Sequence, residues 1–384
     1  MGTIIMNTQL VKLKRVAIFL AGISAASIPA MVHADWSIMG LGTLGGYSSS
    51  AYDINDSGQV VGSSFTGSGS LHAFITGPNG VGMTDLGTLG GVYSNAFGIN
   101  DSGQVVGESY IRDIVGSIYS PNHAFITGPN GIGMTDLGTL GHSSAVGIND
   151  SGQVVGYSQI ASDDFNSHAF ITGPNGLGMT DLGILGVAGI NNSGQVTGSA
   201  FVSGTWHAFI TGSNGVGMTD IGTLGGNESS ASDINDSGQV VGSSHIAGDI
   251  FYHAFITGPN GVGMTDLGTF GGILSSAHGI NDSGEAVGIA LTADIRWHSF
   301  IFSHGEMTDL SVLPTVVEDG WTDLNAAQIN NNGQIVGSGY HHGNPEAFLL
   351  SYIPAVPEPE TYLMLLGGLG LIGFLARRSK EAVI

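Results

Sequence analysis

The sequence predicts an all-β protein, a seven-bladed β-propeller of four-stranded antiparallel blades. Three observations predict it: a phrase of the form I-N-x-S-G-Q-V-V-G recurs seven times, each period holds four short strand-forming runs, and the last period lacks a strand found before the first. The phrase has its isoleucine at Ile54, Ile99, Ile148, Ile190, Ile234, Ile280 and Ile329, at intervals of 45, 49, 42, 44, 46 and 49 residues. Periods in this range mark a propeller or a solenoid, because one repeat cannot bury its own apolar face.

In the first period the strand candidates are residues 50–54, 59–64, 72–76 and 82–86. Asn55-Asp56-Ser57-Gly58 divides the first two and Gly77-Pro78-Asn79-Gly80 the last two. Both are turn sequences, since Gly and Asn tolerate positive φ. Runs such as Gln-Val-Val-Gly and Ala-Phe-Ile are apolar on both faces, as suits strands covered on both sides by neighbouring sheets. The seventh period ends after residues 348–352 with no Met-Thr-Asp-Leu run, and residues 36–42 supply the missing strand ahead of repeat one. A ring closed by this N-terminal strand explains the permutation and removes exposed sheet edges. The alternative, an open β-solenoid, does not require it.

The ends of the chain read differently. Residues 1–34 carry Lys12, Lys14 and Arg15, an apolar run over 16–26, and Val32-His33-Ala34. That order is a secretory signal, cleaved by signal peptidase after Ala34; the run is short for a permanent anchor, the alternative reading. At the other end Pro357-Glu358-Pro359 precedes an apolar stretch over 362–376, followed by Arg377, Arg378 and Lys380. The basic cluster places that end in the cytoplasm and the repeats outside. Fifteen residues of helix reach about 22 Å, short of a ~30 Å hydrocarbon core, so the anchor is marginal and suits temporary retention. The expected division is 1–34 signal peptide, 35–353 propeller, 354–384 tail with a short transmembrane helix.

Composition excludes several classes. The chain has no Cys, so disulfides cannot stabilise it outside the cell. Between residues 35 and 356, 27 acidic residues face only Arg112 and Arg296, a net charge of −25. Nucleic acid and anionic lipid are repelled by that sign, leaving membrane contact to the transient C-terminal helix.

The tail resembles the PEP-CTERM sorting signal of exopolysaccharide-producing Gram-negative bacteria; an ordinary single-pass anchor after a Pro-rich stalk is the alternative. The resemblance covers about the last 30 residues. It implies processing by exosortase, a membrane-embedded cysteine protease-transpeptidase, with Pro357, Glu358 and Pro359 as its recognition triplet and Arg377 and Arg378 as the terminal basic cluster. It also implies secretion to the cell surface or extracellular matrix. The repeats, with their recurring His-Ala-Phe core, resemble the bacterial extracellular repeats named HAF over nearly all of residues 36–352. The seventh copy diverges most, with Glu346 in the His position. This second resemblance implies secretion and repeat architecture and carries no activity.

Chemistry is expected where the repeats disagree. In an up-down blade the first and third turns share one face and the longer, variable loops share the other, which is what a binding face looks like. Trp206, Trp297, Trp321, Arg112 and Arg296 are the ligand-binding candidates there, with Tyr252 among the other expected members of that face, and aromatic rings suited to stacking on extracellular polysaccharide. Asp53-x-Asn55-x-Ser57-Gly58 and its copy at Asp233 have the spacing of a calcium loop, yet no bidentate acid follows, and a plain Asx turn is the expectation. No metal and no cofactor are expected. The repeated His and Asp of each copy are assigned to scaffold. The protein reads as a non-catalytic surface or matrix protein, with a carbohydrate-binding module and a propeller glycosidase or lyase as alternatives. For the last, Asp163, Asp164, Glu228, Asp249, Glu285, Asp294, Glu318 and Asp319 are the acids that break the pattern.

Overall fold

Seven four-stranded antiparallel sheets follow one another along the chain of this computed structural model. It describes residues 35–111, 122–138, 141–159, 167–183, 186–248 and 251–353. Residues Trp36–Tyr352 form one compact unit; of the other unit, Met1–Asp35 with Ile353–Ile384, only Asp35 and Ile353 are described. The signal peptide with Ala34, the triplet Pro357, Glu358 and Pro359, the pair Arg377 and Arg378, and Arg112 therefore lie outside the described residues. No helix among the described residues is long and apolar enough to cross a membrane.

The first blade runs through Gly45–Ile54, Val60–Thr66, Leu71–Thr76 and Met83–Gly87, close to the strands its sequence predicts. The strand Asp35–Gly40 does not belong to it. It pairs with Asn344–Ile353 as the outer strand of blade 7, so the ring closes as the permuted repeat requires.

The core lies between blades. Phe74, Phe125, Phe170, Phe209, Phe255, Phe300 and Phe348, one per blade, are each no more than 2% exposed. Phe74 packs with Ile54 and Val60 of its own blade and with Val336, Ala347 and Leu349 of blade 7, so each contact surface joins two repeats. The Gly of each Val-Val-Gly run has a steric reason. A Cβ at Gly62 would stand 1.9 Å from the Ser50 carbonyl oxygen, where the first strand bulges between Ala51 and Asp53.

The Asn-Asp-Ser-Gly turns close two rings of hydrogen bonds from blade to blade. Asn55 Nδ2 donates to the Asn100 carbonyl oxygen of the next blade at 3.1 Å, and the step repeats until Asn330 donates to Asn55 at 2.9 Å. In the second, the backbone N–H of Asp56 donates to Asp101 Oδ1 at 2.9 Å, and the series ends with Asn331 N–H on Asp56. Two of these seven positions are Asn, and their amides relieve the crowding of carboxylates. Asn192 donates to Asp150 and Asp236, and Asn331 to Asp56 and Asp282. Asp101 has no such neighbour, and burial, then Asp150 and Asp56, hold its carboxyl above the usual range.

Candidate functional site

The turns between first and second strands and between third and fourth strands meet on one face, where Gly80 N–H donates to the Gly58 carbonyl oxygen at 2.9 Å. The loops that vary in length lie on the other. Two clefts between blades open on that variable face and gather the described candidates.

The larger, about 640 Å³, lies between blades 6 and 7 and is lined by Arg296, Trp297, His298, Trp321 and Asp323 among others. Trp297 is 40% exposed and starts the third strand of blade 6. Arg296 holds Asp294 through Nε at 3.2 Å and is itself 75% exposed. Trp321 differs: it is 2% exposed, its ring stacks on His341 at 4.5 Å, and Nε1 donates to Asp319. It forms a wall of the cleft and part of the core, with no free ring face on that side. A one-turn helix, Pro314–Glu318, fills the long loop ahead of it and buries Val316.

The second cleft, about 260 Å³, lies between blades 4 and 5 and is lined by Trp206, Glu228, His245 and Tyr252 with several serines. Trp206 is 38% exposed and meets Phe201 edge-on at 5.6 Å. Trp206, Tyr252 and Trp297 immediately precede His207, His253 and His298, so three consecutive blades present an aromatic at one repeat position. That register is readable in the sequence once the repeats are aligned on His-Ala-Phe, and it is the signal that picks out Tyr252.

The repeated His and Asp form pairs within blades. His72 Nδ1 meets Asp85 at 2.9 Å, and the same contact recurs at His123–Asp136, His168–Asp181, His207–Asp220, His253–Asp266 and His298–Asp309. Each carboxylate also accepts a backbone N–H two residues on, as Asp85 does from Gly87 at 2.7 Å. A constant separation of 13 residues in five blades carries the pairing in the sequence. Blade 7 exchanges the partners: Gly40 stands where the Asp would be, and Glu346 brings the carboxylate from the opposite strand, accepting Gly42 N–H at 2.9 Å and meeting His341 Nδ1 at 3.0 Å. A Cβ at Gly40 would fall 2.6 Å from that carboxylate.

The calcium-like spacing serves backbone instead. Asn55 Oδ1 accepts the Ser57 hydroxyl and Gln59 N–H, an Asx turn. Asp53 accepts Ile54 N–H and, across the blade boundary, Ile99 N–H at 2.8 Å. Among the described residues no group of three or more His, Asp or Glu side chains is arranged to hold a metal ion. Asp53 and Asp233 stand on the inner strands of their blades. Burial pushes Asp53 up to about 7, with Asp233 adding to it, and burial pushes Asp233 up to about 6.

These two carboxyls make a pH prediction. The folded state holds protons that the unfolded chain releases near pH 4, so their stabilisation is complete below about pH 4 and is lost as pH rises toward 7. Thermal melts of wild type and Asp53→Asn should therefore move in the variant's favour by on the order of 2–4 kcal/mol between pH 4 and 7.5. A difference that does not change with pH would refute the assignment.

Comparison with known proteins bears on the fold and on the tail. No curated protein matches the chain. An oligogalacturonate lyase in complex with manganese is similar over 84% of this chain and 93% of its own, with a TM-score of 0.53 at 11% identity. TolB from Acinetobacter baumannii is similar over 74% of this chain and 79% of its own, with a TM-score of 0.42 at 10% identity. The β-propeller domain of the Trilobed protease from Pyrococcus furiosus covers 67% and 80%, with a TM-score of 0.46 at 10% identity. At 11% identity the likeness to the lyase speaks for the fold alone. Residues 355–379 match the model of the PEP-CTERM protein-sorting motif, which marks the chain for export and for exosortase sorting to the cell envelope or surface.

Proposed function

We propose that this propeller is a non-catalytic surface or matrix protein, built of HAF-type repeats, that holds extracellular polysaccharide on its variable face in a Gram-negative host. One observation carries the reading: Trp206, Tyr252 and Trp297 stand at the same position in three consecutive blades, two of them about 40% exposed, in clefts open to solvent. Rings so placed stack on the apolar faces of sugars, and neighbouring serines, Glu228 and His245 supply hydrogen bonds to hydroxyls. Several of the acids that break the repeat are engaged by scaffold, which favours binding over catalysis. Glu285 accepts from Asn281 and Ser303, Asp294 from Thr292 and Arg296, and Asp319 from Trp321.

Affinity electrophoresis through gels of exopolysaccharide tests it. Retardation of the wild type, weakened about tenfold in the Trp206→Ala, Trp297→Ala double variant, is expected, a loss of ~1.4 kcal/mol. Failure to bind any sugar across a broad glycan array would overturn the reading.

A further inference from the structure

The face opposite the clefts carries a second repeated feature, and this one is apolar. Directly after the Asn-Gly of each third-to-fourth turn stand Val81, Ile132, Leu177, Val216 and Val262, which are 68, 74, 73, 73 and 72% exposed. Five consecutive blades thus hold an aliphatic side chain out into solvent at one position. Nothing in the turn demands it. The bend is made by Asn in the left-handed region, at φ 54–58°, and by the glycines beside it.

Blade 7 continues the rim by other means. Its third strand runs to Ile353, beyond the point where the other third strands turn, and exposes Tyr352 and Ile353 at 50% and 48%. Ile335, next to the Asn330–Gly333 turn, pairs with Leu350, so this strand ends on the same face. The closing strand begins there too, where Trp36 meets Tyr352 edge-on at 5.4 Å. Blade 6 alone is polar at the matching turn, with Ser303-His304-Gly305-Glu306. Apolar side chains therefore rim six of seven blades, with a Trp and a Tyr where the described chain enters and leaves.

We infer that this turn face docks on the surface of a phospholipid bilayer while the sorting tail is still attached. The inference rests on the reading of residues 362–376 as a membrane segment. Eight residues lie between Ile353 and Tyr362, a reach of no more than about 32 Å, so the face from which the chain departs is tethered close to the bilayer. Trp and Tyr settle at the boundary between headgroups and acyl chains, and aliphatic tips around the rim enter it together. The acidic ring of Asp56, Asp101, Asp150, Asp236 and Asp282 sits at the centre of the same face and selects against anionic headgroups, which makes a zwitterionic surface the partner. The clefts of the opposite face then point away from the membrane.

The absence of native Cys makes the test direct. The full chain, carrying one fluorophore on Ile132→Cys, Leu177→Cys or Val216→Cys, is reconstituted in phosphatidylcholine vesicles containing a lipid with a shallow nitroxide. Quenching at these sites should exceed threefold that at Ser68→Cys and Ala293→Cys on the variable face, and should fall when a third of the lipid is anionic. Equal quenching on both faces, or none at the three turn sites, overturns the inference. So does disulfide pairing of two Leu177→Cys chains to the same yield with and without vesicles, which would assign the face to a second copy. Alkaline extraction tests the tail separately. A chain that resists extraction yet shows no quenching leaves the tail reading standing and the docking refuted.

Discussion

A chain that starts at Thr43 should lose its cooperative thermal transition and associate in solution. It lacks the Asp35–Gly40 strand, and with it the fourth strand of blade 7. Leu41, 8% exposed in the core between blades 7 and 1, disappears together with Trp36 and Ile38, which pack against the blade 6–7 core. Three apolar side chains at ~1.5–3 kcal/mol each amount to roughly 5–9 kcal/mol, against a total stability of about 5–15 kcal/mol. The Ala347 carbonyl oxygen also loses its bond from Leu41 N–H, and Glu346 its bond from Gly42 N–H, leaving a carboxylate with only His341 beside a raw sheet edge. Such an edge templates pairing between chains. Calorimetry and sedimentation velocity give the answer. A shortened chain that stays monomeric and melts within a few degrees of the full one would mean that the two hydrogen-bond rings, not the outer strand, hold the circle.

Phe348→Ala should cost about 3–5 kcal/mol, the range for emptying a fully buried aromatic site. Phe348 is wholly buried and meets Trp321 edge-on at 5.8 Å, within a cluster that includes Leu310, Val316, Ile335 and Leu350. The same substitution at Phe170, whose cluster has smaller companions such as Ala124 and Ala145, tests how well a site shared by two ordinary blades collapses. Val81→Ala on the exposed rim is the control and should fall within about 0.5 kcal/mol. Chemical denaturation midpoints order the three. A Phe348→Ala chain as stable as Val81→Ala would contradict the placement of the core between blades.

The architecture was legible because the repeat is strict and its exception informative. Seven copies of one phrase set the blade number, and the stray run at residues 36–42 revealed the closure. What escaped were relations between repeats at a distance. The Asn55 ring looks like a local turn, and its Nδ2 bond to the neighbouring blade leaves no mark beyond the recurrence of Asn itself. Asp53 and Asp233 read as irregular copies of a glycine position, and only the fold shows why. Each reaches the Ile N–H of the next blade, whose own inner residue is Gly98 or Gly279. Among the binding candidates, Trp206, Trp297 and Arg296 line clefts, whereas composition alone could not distinguish them from Trp321, whose ring the packing consumes. Exposed aliphatics are invisible to pattern reading when they fall in turns, where a single Val resembles a strand start.

Closure by the N-terminal strand also sets an order in time. Directly after that strand, Leu41 N–H donates to the Ala347 carbonyl oxygen and Gly42 N–H to Glu346 Oε1, across about 300 residues of chain. The strand synthesised first is thus the one whose partner arrives last. Until residue 353 emerges, six complete blades and an unfinished seventh stand as an arc with two open ends, a slow and aggregation-exposed stage for any β protein. Through that wait, mutual repulsion among carboxylates slows the encounter of one incomplete molecule with the next, without removing the edge that would pair them.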